Sequence, residues 1–302
     1  MKKKLRSEEE LLKLISRELP PSGPEVLAGI GDDCAVIHPS HQSGHLELLK
    51  TDAIVEGVHF VKGTPWSKVG WKALCRPISD IAAMGGSPRH ALITMAAPAH
   101  WGSVEWRSLY RGIGKAAREF GVSVVGGETA CSPGPLFLSV TLTGNVPKQN
   151  LKLRSGARPG DLICVTGKLG GSFKSGRHLN FQPRVAEGCW LGGEKGVTAM
   201  MDLSDGLGSD LPKLASSSRC SFRLVSDGLP LNRGSSFHEA VSDGEDYELL
   251  LTIAPKSWPS IQQRWNVASP DVSLTPIGVI LPPNEKSSLL ATGFDHMNPI
   301  TC

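Results

Sequence analysis

Apolar residues along this chain change their period from segment to segment, and each period predicts an element. Leu11, Ile15 and Leu19 recur at helical spacing behind Ser7-Glu8-Glu9-Glu10, a capping box with Ser7 as N-cap and Glu10 at N3, and Pro20-Pro21 ends that helix. Cys34 to Ile37 and Leu46 to Thr51 read as strands, the second running straight into Thr51-Asp52. A helical pattern opens near Ser67, passes through Trp71, Leu74, Ile78, Ile81 and Ala82, and stops at Gly85-Gly86. Pro77 falls inside it; an interior proline costs about 3 kcal/mol, so a kink or break is predicted there.

Ala91 to Ala97 returns to strand. Ser103 then caps a helix through Val104, Leu109, Ile113, Ala117 and Phe120, closed by Gly121. Val122 to Val125 is a strand leading into Gly126-Gly127-Glu128-Thr129, and Leu136 to Val146 alternates as another. From Pro147 to Gly160 the chain is basic and rich in turn residues, which sets a domain boundary near residue 149, with domains over 1–149 and 150–302. The second half repeats the theme. Strand Leu162 to Thr166 meets a glycine turn, Gly167 to Gly171; strand Ala199 to Leu203 runs into Ser204-Asp205-Gly206; strand Tyr247 to Ile253 follows Asp243-Gly244-Glu245-Asp246. Strands interleaved with helices in both halves predict two α/β or α+β domains.

Composition narrows the class. At 302 residues either half can bury a core, and a net charge of +3 is too mild to argue for nucleic acid. The seven cysteines are odd in number, dispersed and never spaced C-x-x-C, which points to reduced thiols in a cytoplasm rather than to disulfides or zinc. No apolar run approaches the roughly 18 residues of a membrane span, and no signal peptide follows the basic start.

The chemistry lies in the acids. Asp32-Asp33 sits between a glycine turn and a short apolar run, and Asp52, Asp80, Glu128, Asp202 and Asp205 recur where a strand is predicted to stop, each beside Gly, Ser or Thr. A lone Asp-Asp pair serves as well for a cap or a turn. Carboxylates gathered from several element ends repel one another, and divalent cations, with Mg2+ favouring carboxylates plus phosphate oxygens, relieve that repulsion. No G-x-x-x-x-G-K-[ST] and no G-x-G-x-x-G after a strand is present, so any phosphate must be held through metals, glycine-turn N–H groups and an occasional arginine. His59, Arg154 and Tyr110 each have an ordinary structural reading beside the functional one.

Taken together, GIGDDCAVI, KTDAIVEGVHF, ISDIAAMGGSP, VVGGET, RSGARPGDLICVTGKLG, MDLSDGLGSDL and DGEDYELLLT resemble the thiamine-monophosphate kinase family. That family sits in the superfamily of aminoimidazole ribonucleotide synthase, selenophosphate synthetase and the hydrogenase-maturation dehydratase. The resemblance runs from about Glu9 to Met297. It implies an N-terminal domain whose mixed sheet pairs across a homodimer, a C-terminal α+β domain, and transfer of the ATP γ-phosphoryl group to thiamine phosphate with several Mg2+ ions. Carried over by motif, Asp32, Thr51, Asp52, Asp80, Glu128, Asp202 and Asp205 fall at Mg2+; Tyr110, Gly127, Glu128, Arg154 and Ser204 fall at ATP; His59, Glu245 and Phe294 fall at thiamine phosphate. Glu128 stands where the family usually has Asp, Pro77 where it usually has Asn, and the segment from Gly171 to Arg184 is short, with Arg177 and His178 in it. Three rival readings stand beside it: another ATP-dependent synthase of the superfamily, a catalytically silent dimer that binds nucleotide or metal, and a structural domain whose acids are only turns.

Overall fold

The computed structural model describes residues 23–39, 44–225 and 228–288. The helix predicted behind Ser7 and the substrate residue Phe294 lie outside the described residues. Strands β1 (Val26–Ala28), β2 (Ala35–Ile37), β3 (His45–Val55), β4 (Ser87–Pro98), β5 (Ser123–Ser132) and β6 (Phe137–Pro147) form one sheet, ordered β1-β2-β3-β6-β4-β5. Only β4 and β5 pair in parallel, and the chain passes between them through a helix, as a parallel pair requires.

Helices α1 (Trp66–Ala83) and α2 (Ser103–Glu119) belong to this half. Alternation along β3 and β6 buries Leu46, Leu48 and Ile54 with Leu138, Val140, Leu142 and Val146 in one core, which Leu74, Ile78 and Ile81 of α1 share. The two helices approach so closely that glycine is required where they touch. A Cβ on Gly112 would lie 1.9 Å from the Ser67 carbonyl oxygen, and one on Gly70 would lie 2.1 Å from that of Leu109.

The second sheet comprises β7 (Leu162–Thr166), β8 (Val197–Asp202), β9 (Ser221–Leu224), β10 (Leu249–Ile253) and β11 (Leu274–Leu281), ordered β8-β10-β7-β11-β9 and antiparallel throughout. Around it lie α3 (Ser172–Ser175), α4 (Val185–Gly193), α5 (Leu207–Ser217), α6 (Phe237–Ser242) and α7 (Trp258–Ala268). Both faces of this sheet are covered, which is why β7 and β10 are nearly continuous apolar runs. Ile163, Val165 and Leu250 pack with Leu207, Leu211 and Leu214 of α5; Cys164, Leu249, Leu251 and Ile253 pack with Leu191 of α4 and with Ile261 and Trp265 of α7. The mixed α/β architecture in two sheets is the fold class expected.

Four local expectations are corrected. α1 is unbroken from Trp66 to Ala83 with Pro77 inside it; the helix is buried along most of its length, and that packing outweighs the missing N–H. Ser103 is the first helical residue of α2 rather than its cap: Gly102 precedes it, and the Gly102 N–H donates to Glu105 at 2.9 Å. β3 does not stop at Thr51-Asp52 but continues to Val55, and β5 runs through Gly126-Gly127-Glu128-Thr129 to Ser132. Asp80, finally, lies in the last turn of a helix, so the acids are not all at strand ends.

The halves are joined through their cores. Phe181 and Tyr247, both from the second half, are buried in the hydrophobic core of the first. Their rings stack at 3.8 Å with 14° between planes.

Candidate active site

Three elements deliver three carboxylates to one point. Asp33 precedes β2, Asp80 lies in the last turn of α1, and Asp202 ends β8; one carboxylate oxygen from each lies within 4.8 Å of the other two, and all three residues are buried. Each acid has a partner that fixes its direction. Lys50 Nζ donates to Asp80 Oδ1 at 2.7 Å, Ser79 Oγ donates to Asp202 Oδ2 at 2.7 Å, and Arg154 donates to Asp33 Oδ1 through Nη2 at 2.6 Å and Nε at 3.2 Å. The other oxygen of Asp33, Oδ2, is buried with no hydrogen-bond partner among the described residues.

Burial disfavours charge here, and the acids repel one another as well. Desolvation, with the Asp33 charge next, raises Asp202 to about 7. Asp80 is pushed well above the usual carboxylate range by burial, against the opposing pull of Lys50. Asp52 behaves in the opposite way: burial works to raise it, but the Lys50 ammonium at 3.9 Å and the Arg76 guanidinium at 3.7 Å hold it below its ordinary value. Converging hard oxygens, mutual repulsion and an orphaned buried acceptor suit a divalent cation.

Asp32, the member of the pair chosen from sequence, is outside the three-acid group. Its carboxylate accepts the Arg154 backbone N–H at 3.3 Å, and burial followed by the Asp33 charge raises it to about 6. Adjacent residues here point different ways, and motif reading alone did not separate them.

Asp205 is held by Lys213 at 2.5 Å, and its backbone N–H donates to Asp210 at 2.9 Å. Thr51 projects onto the opposite, exposed face of the first sheet, beside Ser139 and Thr141 at 3.3 Å each. Glu128 is exposed on β5, and Tyr110 is 40% exposed on α2. Gly127, also on β5, has φ 152°, and a Cβ there would lie 1.9 Å from the Ile93 carbonyl oxygen. Thr51, Glu128 and Tyr110 make no hydrogen bond or ion pair with the three-acid group among the described residues.

A second cluster adjoins the first. Glu245, at φ 63°, receives Lys72 Nζ at 2.6 Å and lies 3.1 Å from His178 Nδ1. Burial works against its charge, but Lys72 and His178 prevail and lower it to about 2; burial in turn lowers Lys72 to about 8. At neutral pH the pair is ionised. The same ammonium donates to the His59 carbonyl oxygen at 2.5 Å, while His59 Nδ1 accepts the Val55 N–H at 3.0 Å. His59, Arg76, Ser204, Asp205, Glu245 and Tyr247 share the lining of a small cavity. Thus His59, Ser204, Asp205 and Glu245, drawn from three motifs, meet at one place.

Sequence reading missed Lys50, Lys72, Arg76 and Tyr247. Each has an apolar or helical neighbourhood that gives it an ordinary packing role, and only the tertiary fold aims its polar atom at an acid or a cavity. The spacing of Lys72, Arg76 and Asp80 at four-residue intervals was the available signal, since it puts all three on one face of α1.

Residues 31–146 match the family model described as AIR synthase related protein, N-terminal domain. A thiamine-monophosphate kinase of Rhodopirellula baltica is 37% identical over 261 residues, covering 81% of this chain and 82% of that protein. One of Bacillus subtilis is 32% identical over 297 residues, covering 89% of this chain and 90% of its own length. Among solved structures, one described as AaThiL complexed with AMPPCP and TMP superposes with a TM-score of 0.78 at 29% identity, over 97% of this chain and 94% of that one. With relatives at this identity spanning both sheets and the acidic site between them, the chain belongs to the thiamine-monophosphate kinase family.

Proposed function

We propose that this protein transfers the γ-phosphoryl group of ATP to thiamine phosphate, giving thiamine diphosphate and ADP by direct in-line transfer in a Mg2+-dependent reaction. The observation that carries the reading is the convergence of Asp33, Asp80 and Asp202 from three elements, with an unpartnered buried oxygen on Asp33. Family membership and the nucleotide analogue and TMP named for the AaThiL structure support the choice of substrates.

The acceptor is a phosphate monoester whose second pKa is about 6, so near neutral pH it is already an anionic nucleophile and needs no strong base. Two anions must nevertheless approach each other. Bound Mg2+ would supply charge neutralisation and alignment of the reacting oxygens. Asp33, Asp80 and Asp202 hold it in this reading, with Asp52, Asp205 and, from motif, Asp32, Thr51 and Glu128 completing the metal positions. Lys50 and Arg154 keep the acids in place and offset their charge before substrates arrive. In this reading the transfer is direct and no phosphoenzyme forms.

Tyr110, Gly127, Glu128, Arg154 and Ser204 are assigned to ATP, and His59 and Glu245, with Phe294, to thiamine phosphate. A homodimer fits the first sheet: β5 is a ten-residue edge strand exposed at nearly every position, with Val124, Val125 and Leu92 open on it and its neighbour. Domain limits at 1–149 and 150–302 fit the end of one sheet at Pro147 and the start of the next at Leu162. Among the described residues no helix is long and apolar enough to cross a membrane.

The test is incubation with ATP, Mg2+ and thiamine phosphate, following thiamine diphosphate directly. Product that disappears with EDTA is expected. No product from folded protein that binds ATP would overturn the reading in favour of a silent nucleotide-binding dimer.

A further inference from the structure

Two buried donors belong to residues that line the same small cavity and have nothing to receive them among the described residues. Arg76 is 9% exposed and Tyr247 3% exposed, and neither Arg76 Nε nor the Tyr247 hydroxyl has a hydrogen-bond partner among the described residues. Both line the cavity shared with His59, Ser204, Asp205 and Glu245. Leaving a buried donor unpaired costs about 1–3 kcal/mol, so two of them side by side call for an acceptor.

Both groups are held rigidly. Arg76 Nη1 donates to the Ala53 carbonyl oxygen at 3.1 Å, and Nη2 lies 3.7 Å from Asp52 Oδ1, which leaves Nε as the guanidinium nitrogen without a partner. The Tyr247 ring stacks on Phe181 at 3.8 Å, and its backbone is left-handed at φ 52°. Burial keeps the phenol protonated at any ordinary pH, and Arg76 is a donor only, so neither can satisfy the other's need by giving up a proton.

The protein's own acceptors nearby are engaged. Glu245 is bonded to Lys72 and His178, and Asp52 faces Lys50 and Arg76. The cavity, about 30 Å³, exceeds the roughly 10–15 Å³ that one water-sized group needs. An anionic oxygen with two free lone pairs fits two donors, and a guanidinium edge with a hydroxyl is a common way to bind a phosphate oxygen.

We propose that Arg76 and Tyr247 recognise the phosphate monoester of the acceptor, taking one of its non-bridging oxygens between Nε and the hydroxyl. This assignment rests on the proposed reaction with thiamine phosphate. It makes the pair a specificity device: an acceptor without the phosphate leaves both donors buried and unpaired, and sites of that kind reject such analogues strongly.

The test measures binding of thiamine phosphate and, separately, of ATP to wild type, Tyr247→Phe and Arg76→Gln, all with Mg2+. Tyr247→Phe removes only the hydroxyl and keeps the stacked ring. We expect thiamine phosphate to bind roughly tenfold more weakly in Tyr247→Phe, with ATP affinity within twofold of wild type there, and more weakly still in Arg76→Gln. Equal weakening of both ligands, or of neither, would overturn the assignment, the first by showing a packing role and the second by showing that water serves the donors. Should Arg76→Gln fail to fold, Tyr247→Phe decides alone. A wild-type protein that binds ATP but not thiamine phosphate would mark failure of the reaction itself, and the assignment would fall with it.

Discussion

At the scale of single residues, charge in a dry place governs the site. Asp202 is desolvated and repelled by Asp33, yet its hydrogen bond from Ser79 survives replacement by an amide. Asp202→Asn should therefore lower turnover by roughly 100-fold or more while leaving the melting temperature in EDTA equal or higher, because the change removes a repelled carboxylate without changing its size. A variant with near-normal turnover would remove Asp202 from the metal site. Glu245 gives a pH prediction with a defined sign. Its pKa falls from its usual 4.5 to about 2 on folding, so its contribution is present above pH 4.5 and is lost as pH falls through that window. Glu245→Gln should be destabilised by on the order of 3 kcal/mol at pH 7, with the difference from wild type shrinking towards pH 2, as urea melts at several pH values would reveal. A constant difference across that range would assign the loss to packing. Sequence singled out Asp80, Asp202 and Asp205 because acids beside small residues stand out in a linear motif, whereas His59 and Glu245 came only with the family resemblance. It chose Asp32 over Asp33, since which of two adjacent carboxylates turns inward depends on Arg154, 121 residues away from Asp33.

At the scale of elements, close helix contact carries the first half. Gly112→Ala sets a methyl group against the Ser67 carbonyl with no side chain to move aside, so the helices must separate. A loss of several kcal/mol in urea unfolding is expected, well beyond the usual cost of an ordinary surface substitution. Stability within 1 kcal/mol of wild type would show that α1 and α2 adjust freely. Strand and helix identity was legible wherever the apolar period ran for several residues, as in β6, β7 and α2. Element ends were not. β3 and β5 continue past Thr51 and through Gly126-Gly127 because ladder bonds to β6 and β4 hold residues that local preference would release. The same competition explains Pro77, whose helix persists because it is buried along most of its length.

At the scale of the whole molecule, the exposed β5 edge sets the assembly prediction. Sedimentation should give the mass of two chains, and Val125→Pro, which removes an edge N–H and fixes φ, should give the mass of one. A wild-type monomer at micromolar concentration would discard the dimer. A different consequence follows from Phe181 and Tyr247 sitting in the core of the first half while the second half supplies them. The two sheets are not separable modules. A fragment ending at residue 149 would expose a socket shaped for two aromatic rings, and a fragment beginning at 150 would carry those rings into water. The pieces should be insoluble apart, and the intact chain should melt in one cooperative step. Any swing of the halves away from each other would have to pull the stacked pair from its socket.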